Sequence, residues 1–232
     1  MTTKSAQADI AEEQAIVDRI YEALVDQRLA PGTKLSEADL CEAFGVGRMR
    51  IRRSLLMLAS RELVDLLPNR GAYVARPTAK QAHDVFDMRL LVEPSMARMA
   101  ANKAKDRDIQ SLADLVDKER KAQAAGQRRA AISLSGEFHI AMARAADNAV
   151  LTATVKDLIT RSSLIIAMFG DLGVNNNCRD DEHASLLDAM RTHDTKKAES
   201  LMKDHIHHIR DHLDFDREPQ GPQDIVSLFA KR

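Results

Sequence analysis

The stretch Phe-Gly-Val-Gly-Arg-Met-Arg-Ile-Arg-Arg, at residues 44–53, decides the fold of the first part of the chain. A glycine-flanked turn leads at once into four closely spaced arginines. Ile51, Leu55 and Leu58 then recur at steps of four and three residues, which is the spacing of one buried helix face. A tight turn before a basic amphipathic helix predicts the second helix of a DNA-binding helix-turn-helix.

The segments around this helix are predicted to complete a winged unit. Helical periodicity runs from Ile10 to Leu29 and ends at Pro31-Gly32, and a short second helix capped by Ser36 ends at Gly45. Downstream, two apolar strands flank a turn that contains Arg70, so Arg70 is expected at the tip of a wing. These strands cover 63–67 and 72–75, and the turn is Pro68-Asn69-Arg70-Gly71.

Charge placement, rather than net charge, indicates a nucleic-acid partner. The whole chain carries 34 basic and 35 acidic residues, but residues 45–76 hold seven Lys and Arg against two acids, whereas residues 1–44 hold four against nine. Aromatic content of 3% without Trp disfavours a stacking surface for single strands, so duplex DNA is expected. Cys41 and Cys178 are too far apart for a cysteine zinc motif. A cytoplasmic protein is expected, since no signal peptide or membrane span is visible.

Helical periodicity fills most of the chain after Pro77. We therefore predict a mainly α protein, with a winged helix-turn-helix domain at 1–77, an all-α helical-bundle ligand and dimerisation domain at 78–218, and a C-terminal tail at 219–232. Caps are expected at Thr78, Asp106 and Asp194. The predicted bundle helices lie near 79–104, 107–125, 128–146, 149–169, 180–192 and 195–215.

The basic helix offers one face to the major groove of DNA. Because Ile51 and Leu55 must point inward, Arg48, Met49 and Arg52 are the expected groove-facing residues, and arginine pairs bidentately with guanine. Arg50 and Arg53 flank this face, where they can reach phosphates. The alternative is that the arginines form an ordinary solvated helix face.

The first part of the chain resembles the DNA-binding domain of GntR-family transcriptional regulators. The resemblance implies that Arg48 and Arg52 contact operator bases, that Gly71 lies near the minor groove, and that Lys34 and Arg70 belong to the same DNA-binding surface. The chain has Gly47, Met49-Arg50 and Arg53 where the family usually has Ser or Thr, Thr-Pro and Glu. The resemblance is carried by Leu29-Ala30-Pro31-Gly32-Thr33-Lys34-Leu35-Ser36-Glu37, Phe44-Gly45-Val46-Gly47-Arg48, Ile51-Arg52, Leu63-Val64 and Pro68-Asn69-Arg70-Gly71-Ala72-Tyr73-Val74.

The second part contains Met88-Arg89, Leu91, Glu93-Pro94, Ala97-Arg98-Met99-Ala100-Ala101, Phe138-His139, Ala146, Asn148, Glu182-His183, Leu186, Ala189-Met190, Met202 and His205-Ile206. Through these residues it resembles the FCD ligand domain of the FadR subfamily. In most members one Asp and three His bind a divalent metal above an effector cavity, and the resemblance assigns the histidines to His139, His183 and His205. Ser135 stands where the family has its Asp, one helical turn before the first histidine.

Three imidazoles suit zinc or nickel, with water or an effector oxygen completing the shell. Three neutral ligands are expected to leave the ion its full charge and so to favour an anionic effector. Arg89, Ser135 and Arg161 are the predicted effector contacts, because a cation on an apolar stripe needs a partner and the family commonly binds organic acids. Two alternatives remain: a histidine-rich helix face can be plain polar surface, and each arginine can pair with a core acid such as Glu93.

These features predict a ligand-responsive, dimeric transcription factor that acts as a repressor of a metabolic or catabolic operon. It would bind a palindromic operator, because two-fold symmetry doubles the contacts of one winged helix. An alternative is a metal-dependent hydrolase in which the three histidines activate water. An architectural DNA binder is disfavoured, since the large second domain would then serve only dimerisation.

Overall fold

The chain divides into two compact units, residues 1–76 with 218–232 and residues 77–217. The computed structural model describes residues 3–25, 28–170, 181–214 and 225–229, and their side chains except those of 3–8, 25, 128 and 129. Gly173, Cys178 and most of the expected tail lie outside the described residues. No helix in the described part of the chain is long and apolar enough to cross a membrane.

The first unit is a winged helix-turn-helix, as predicted. Its helices are α1 (Thr3–Val25), α2 (Glu37–Phe44) and α3 (Arg48–Ala59). Its sheet contains β1 (Lys34–Leu35), β2 (Val64–Leu67) and β3 (Gly71–Val74) in the antiparallel order β1-β3-β2. The wing is the β2–β3 hairpin, with Val64 opposite Val74 and Leu67 opposite Gly71. The sequence prediction missed β1, because a two-residue strand has no periodicity to detect.

Local chemistry explains the turn that places α3. Ser36 caps α2 by accepting a hydrogen bond from the Asp39 backbone N–H, as predicted. Gly45 ends α2 in a left-handed conformation with φ 67°, where a residue with a side chain would be strained. Gly47 then precedes α3 without a side-chain cap, so the first turn of α3 presents its free backbone N–H groups.

The C-terminal segment adds a further helix to the first unit. Helix α10 (Ile225–Phe229) packs on α2, and both of its terminal residues are buried. The ring centroids of Phe229 and Phe44 lie 5.0 Å apart. The Arg19 guanidinium lies over both rings and donates a hydrogen bond to the Phe229 carbonyl at 2.9 Å. The expected tail therefore contains part of the hydrophobic core of this unit.

The second unit is helical in its described part, and the fold class predicted from the sequence is confirmed. Thr78 and Asp194 cap their helices as predicted, but Lys105 is the capping residue of α5, and Asp106 is its first residue. Gly136 lies inside α6, where an added Cβ would lie 3.0 Å from the Ile159 side chain, closer than packed side chains normally approach. The helices are α4 (Ala79–Lys103), α5 (Asp106–Ala124), α6 (Arg128–Ala145), α7 (Ala149–Phe169), α8 (Glu182–Arg191) and α9 (Thr195–Asp211).

The core of the second unit contains an unusual set of polar side chains. Arg89, Glu93, Glu119 and the three histidines of the predicted metal site are all buried. Buried charged groups are expensive unless they are paired or bind an ion. Their arrangement therefore needs a chemical explanation.

Candidate DNA-binding surface and metal centre

The outer face of α3 presents Arg48, Met49 and Arg52 to solvent, as the sequence predicted. Met49 is 63% exposed, although it is a large apolar side chain in the first turn of the helix. The Arg52 guanidinium forms an ion pair with Glu37, with Nε to carboxylate oxygen distances of 2.8 and 3.0 Å. This hydrogen bonding raises the pKa of Arg52. The three residues are thus available to a partner lying along α3.

Arg50 and Arg53 form ion pairs with α1, although the side chain of Arg53 remains 58% exposed. Arg50 forms ion pairs with Asp9 at 2.5 Å and Glu12 at 2.6 Å, and Arg53 pairs with Glu13 at 3.1 Å. The sequence interpretation placed both arginines within reach of phosphates and did not identify these acidic partners. Helical spacing places positions 9, 12 and 13 of α1 on one face, but it does not show which helix that face meets.

A groove of about 710 Å³ runs between α3 and the wing. The predicted residues Lys34, Arg70 and Gly71 lie across this groove from Arg48 and Arg52. Between the basic side chains, Leu56, Leu66 and Leu67 are exposed. The fold thus brings together the five predicted residues from three separate segments of the chain.

The three predicted metal ligands converge in the core of the second unit. His139 lies on α6, His183 on α8 and His205 on α9. The Nε2 atom of His205 lies 3.1 Å from Nε2 of His139 and 3.3 Å from Nε2 of His183. Among the described residues they are the one group of three or more His, Cys, Asp or Glu with ligand atoms close enough to share an ion.

Each histidine is held from behind by a carboxylate that the sequence interpretation did not assign. The Nδ1 atoms of His139, His183 and His205 lie 2.5, 2.6 and 2.7 Å from carboxylate oxygens. The corresponding acids are Glu93 on α4, Glu119 on α5 and Glu182 at the start of α8. No spacing rule connects these acids with the histidines, since each pair except His205–Glu182 joins residues more than 40 positions apart.

The hydrogen bonds fix the tautomer of the imidazoles. An ionised carboxylate can only accept, so each Nδ1–H donates and each Nε2 keeps its lone pair. Burial is the largest effect on His139 and His205, and it lowers the pKa of both rings, most strongly that of His205. Burial alone would raise the pKa of Glu93, but Arg89 and His139 outweigh it and lower the pKa to about 2.

The three Nε2 lone pairs point toward one centre, where a metal ion can accept all of them. Neutral imidazoles that all present acceptors repel, unless a cation or a proton lies between them. For zinc, with Zn–N distances of about 2.0–2.1 Å, tetrahedral ligands lie about 3.3 Å apart. The two Nε2 separations to His205, 3.1 and 3.3 Å, are close to this value, and all three ligand atoms lie within 4.8 Å of one another. The residues present therefore suit a divalent ion with histidine ligands.

The predicted effector contacts lie at three different depths. Arg89 is buried and pairs with Glu93 at 2.5 Å, and its Nη1 donates to Ser162 at 3.2 Å. This is the core pairing that the sequence left open as an alternative. Arg161 is partly buried and pairs with Asp157 at 3.0 Å. Ser135 is partly exposed on α6, one turn before His139.

The expectation that a bound ion would keep its full charge considered only three neutral ligands. The structure adds Glu93, Glu119 and Glu182, which lie directly behind the histidines. Hydrogen-bonded carboxylates of this kind make imidazole a more basic ligand.

Family models match both units of the chain. Residues 12–74 match the bacterial regulatory proteins of the gntR family, and residues 84–208 match the FCD domain. The chain belongs to the GntR family of bacterial regulatory proteins, in the group that carries an FCD domain. It is a DNA-binding transcriptional regulator and not an enzyme, so the hydrolase alternative is not favoured.

Curated relatives and solved structures agree with this assignment. The chain is 26% identical over 200 residues to the HTH-type transcriptional repressor RspR of Escherichia coli K12, covering 84% of this chain and 88% of RspR. It is 28% identical over 218 residues to the HTH-type transcriptional repressor NanR of Cronobacter sakazakii, covering 84% and 82%. Escherichia coli McbR/YncC shares the fold, with a TM-score of 0.73 at 18% identity over 84% of this chain and 93% of that chain.

Proposed function

We propose that the protein is a dimeric repressor of a metabolic or catabolic operon that binds a palindromic DNA operator through the groove between α3 and the wing. The observation that carries this proposal is the convergence of five residues from three segments on one groove. Arg48 and Arg52 would contact guanine edges, and Lys34, Arg70 and Gly71 would contact the backbone or the minor groove. The names of RspR and NanR as repressors support the direction of regulation.

The pairing of Arg50 with α1 changes the contribution we propose for it. Its guanidinium is bound by Asp9 and Glu12 and holds α3 against α1, so it reaches a phosphate only if those ion pairs open. Arg53 pairs with Glu13 but is 58% exposed, and we keep it as a phosphate contact. Met49, which protrudes beside Arg48, would contact an apolar base edge such as the thymine methyl group. The base contacts are therefore concentrated on Arg48, Met49 and Arg52.

We propose that zinc or nickel binds His139, His183 and His205, and that a small organic acid completes its coordination. Three histidines leave at least one position open on a four-coordinate ion. Ser135 and Arg161 are proposed to contact the effector, and Arg89 would act on it through Glu93. Effector binding would then change the affinity for the operator, which is how a metabolite would control the operon.

The DNA-binding proposal is tested on an operator enriched from random duplexes by the full-length protein. Arg48→Ala and Arg52→Ala should each weaken binding by about 1–3 kcal/mol and relax base preference at one position, because a bidentate contact is lost. Fluorescence anisotropy on matched and mismatched duplexes measures both effects. Arg107→Ala, an exposed arginine of the second unit, serves as the control. Wild-type affinity in both α3 variants would exclude this face.

The dimer and the effector need separate measurements. Light scattering of the free protein and of its operator complex should give two chains per palindrome, and a one-to-one complex would contradict the dimer. Elemental analysis combined with native mass spectrometry of the purified protein should report metal and bound acid together. An organic acid that releases the operator only from metal-loaded protein would support the effector proposal.

A further inference from the structure

We propose that Glu93, Glu119 and Glu182 are positioning residues that set the metal affinity of the three-histidine site. The inference rests on the metal site proposed above. It adds the residues that orient the metal ligands. We call these three acids the carboxylate ring.

The pairing within the site is one carboxylate to one histidine. Glu93 accepts from His139 at 2.5 Å, Glu119 from His183 at 2.6 Å and Glu182 from His205 at 2.7 Å. The acids come from α4, α5 and α8, and the histidines from α6, α8 and α9, so the fold assembles two layers from five helices. Each bond fixes one ring and directs its Nε2 lone pair to the shared centre.

The three carboxylates lie in different surroundings. Glu93 and Glu119 are buried, and Glu93 also pairs with Arg89 at 2.5 Å, whereas the side chain of Glu182 is 22% exposed. Burying a carboxylate is costly unless it is paired or hydrogen-bonded. The bonds to His139 and His183 therefore stabilise Glu93 and Glu119 and hold both rings in place.

The carboxylate ring also supplies negative charge, which the three histidine ligands lack. Ser135 occupies the helical position one turn before His139, so no carboxylate of α6 faces the ion from there. The carboxylates would act on the ion through the rings instead, because a carboxylate that accepts the Nδ1–H makes the imidazole a more basic metal ligand. Metal affinity should therefore depend on residues that do not touch the metal.

The three acids differ in how cleanly they can be tested. Glu93 also pairs with Arg89. Replacing Glu93 would leave the buried Arg89 guanidinium without its counter-ion and destabilise the folded protein. Glu119 and Glu182 each hold one histidine. The substitutions Glu119→Gln and Glu182→Gln keep an oxygen that accepts the Nδ1–H but remove the charge. Glu119→Ala removes both.

The experiment uses full-length protein freed of metal by a chelator. Zinc affinity is measured at fixed pH by competition with a chromophoric chelator, and cobalt(II) absorption spectra report the ligand geometry. Each Gln variant should bind zinc about 10–100-fold more weakly than the wild type, and Glu119→Ala should bind still more weakly and change the cobalt spectrum. The Gln variants should keep the wild-type spectrum. Glu137→Gln, an exposed acid on α6, is the matched control.

The outcomes separate the inference from the metal proposal. If the wild type binds zinc and both Gln variants bind it within twofold of the wild-type affinity, the carboxylate ring has no positioning role. If Glu119→Ala weakens zinc binding but Glu119→Gln does not, the hydrogen bond to His183 sets the zinc affinity and the charge of the carboxylate does not contribute. If the wild type itself binds neither zinc nor cobalt, the metal site fails together with the inference. Circular dichroism confirms that each variant is folded.

Discussion

Replacing Phe229 by Ala should destabilise the DNA-binding unit, although this residue follows the second unit in sequence. Phe229 is 2% exposed, and its ring packs at 5.0 Å from that of Phe44. The substitution removes this contact and leaves the Arg19 guanidinium with one aromatic face instead of two. It also leaves a cavity between α10 and α2.

The size of the effect follows from these contacts. Phe→Ala in a packed core costs about 3–5 kcal/mol, and an aromatic pair contributes about 0.5–1.5 kcal/mol of its own. Helix α10 is only five residues long, so it can detach before the rest of the unit unfolds. The lost stability cannot exceed the free energy by which α10 binds to the rest of the unit. We therefore expect the free energy of unfolding to fall by about 2–4 kcal/mol.

Hydrogen exchange measured by mass spectrometry on the full chain locates the change. A loss of about 2 kcal/mol corresponds to roughly 30-fold faster exchange for amides that open with α10. Peptides of α1 and α2 should show it, while peptides of α4 and α9 in the second unit should not. Leu228→Ala changes a half-buried neighbour in the same helix and should have a smaller effect.

Unchanged exchange in α2 would refute the reasoning. A chain truncated after residue 217 provides a second measurement, because it lacks α10 altogether. If neither this truncation nor Phe229→Ala speeds exchange in α1 or α2, the C-terminal segment contributes nothing to the DNA-binding unit. Equal acceleration in both units would instead indicate a general loss of folding.

Other predictions concern the buried cluster of the second unit. Ser135→Asp should tighten zinc binding, because it adds a carboxylate one turn before His139, and competition with a chelator would show no gain if residue 135 faces away. The metal-free protein should lose stability as pH falls below the ordinary histidine pKa of 6.5, because burial lowers the pKa of His139 and His205 and the unfolded chain then binds protons that the folded chain does not. Urea titrations from pH 7 to pH 5 should show a decline of at most about 1.4 kcal/mol per pH unit for each ring, and a flat profile would contradict the direction. Arg89→Ala should cost about 3–5 kcal/mol, since Glu93 loses its buried counter-ion, and a urea midpoint equal to that of the wild type would show that the pair is dispensable.

The DNA-binding helix could be predicted in detail because its information is local. The glycines that shape its turn, the apolar stripe and the arginines all lie within about one short segment, where backbone conformation and helical spacing decide the outcome. What the spacing did not indicate is where each arginine points. Arg50 and Arg53 pair with acids some 40 positions upstream, and only the packing of α1 against α3 places those acids beside them.

The metal centre divides in the same way. The three histidines were assigned through a family resemblance, and the fold brings their Nε2 atoms together. Their carboxylate partners were missed, because the sequence does not indicate which histidine an acid on another helix will contact. The same holds for Arg89, whose partner was only one of two alternatives until burial and the 2.5 Å contact with Glu93 selected it.

The sequence by itself determined the class of fold, the two-part organisation and most helix boundaries, since these depend on short-range periodicity, capping and turn residues. The tertiary structure alone decided the placement of α10 on α2, the third strand of the wing sheet and the carboxylate ring. Each of these depends on contacts between residues distant along the chain. Such contacts form only when the hydrophobic faces of separate helices pack together, and no local pattern specifies which polar side chains that packing will bring within hydrogen-bonding distance.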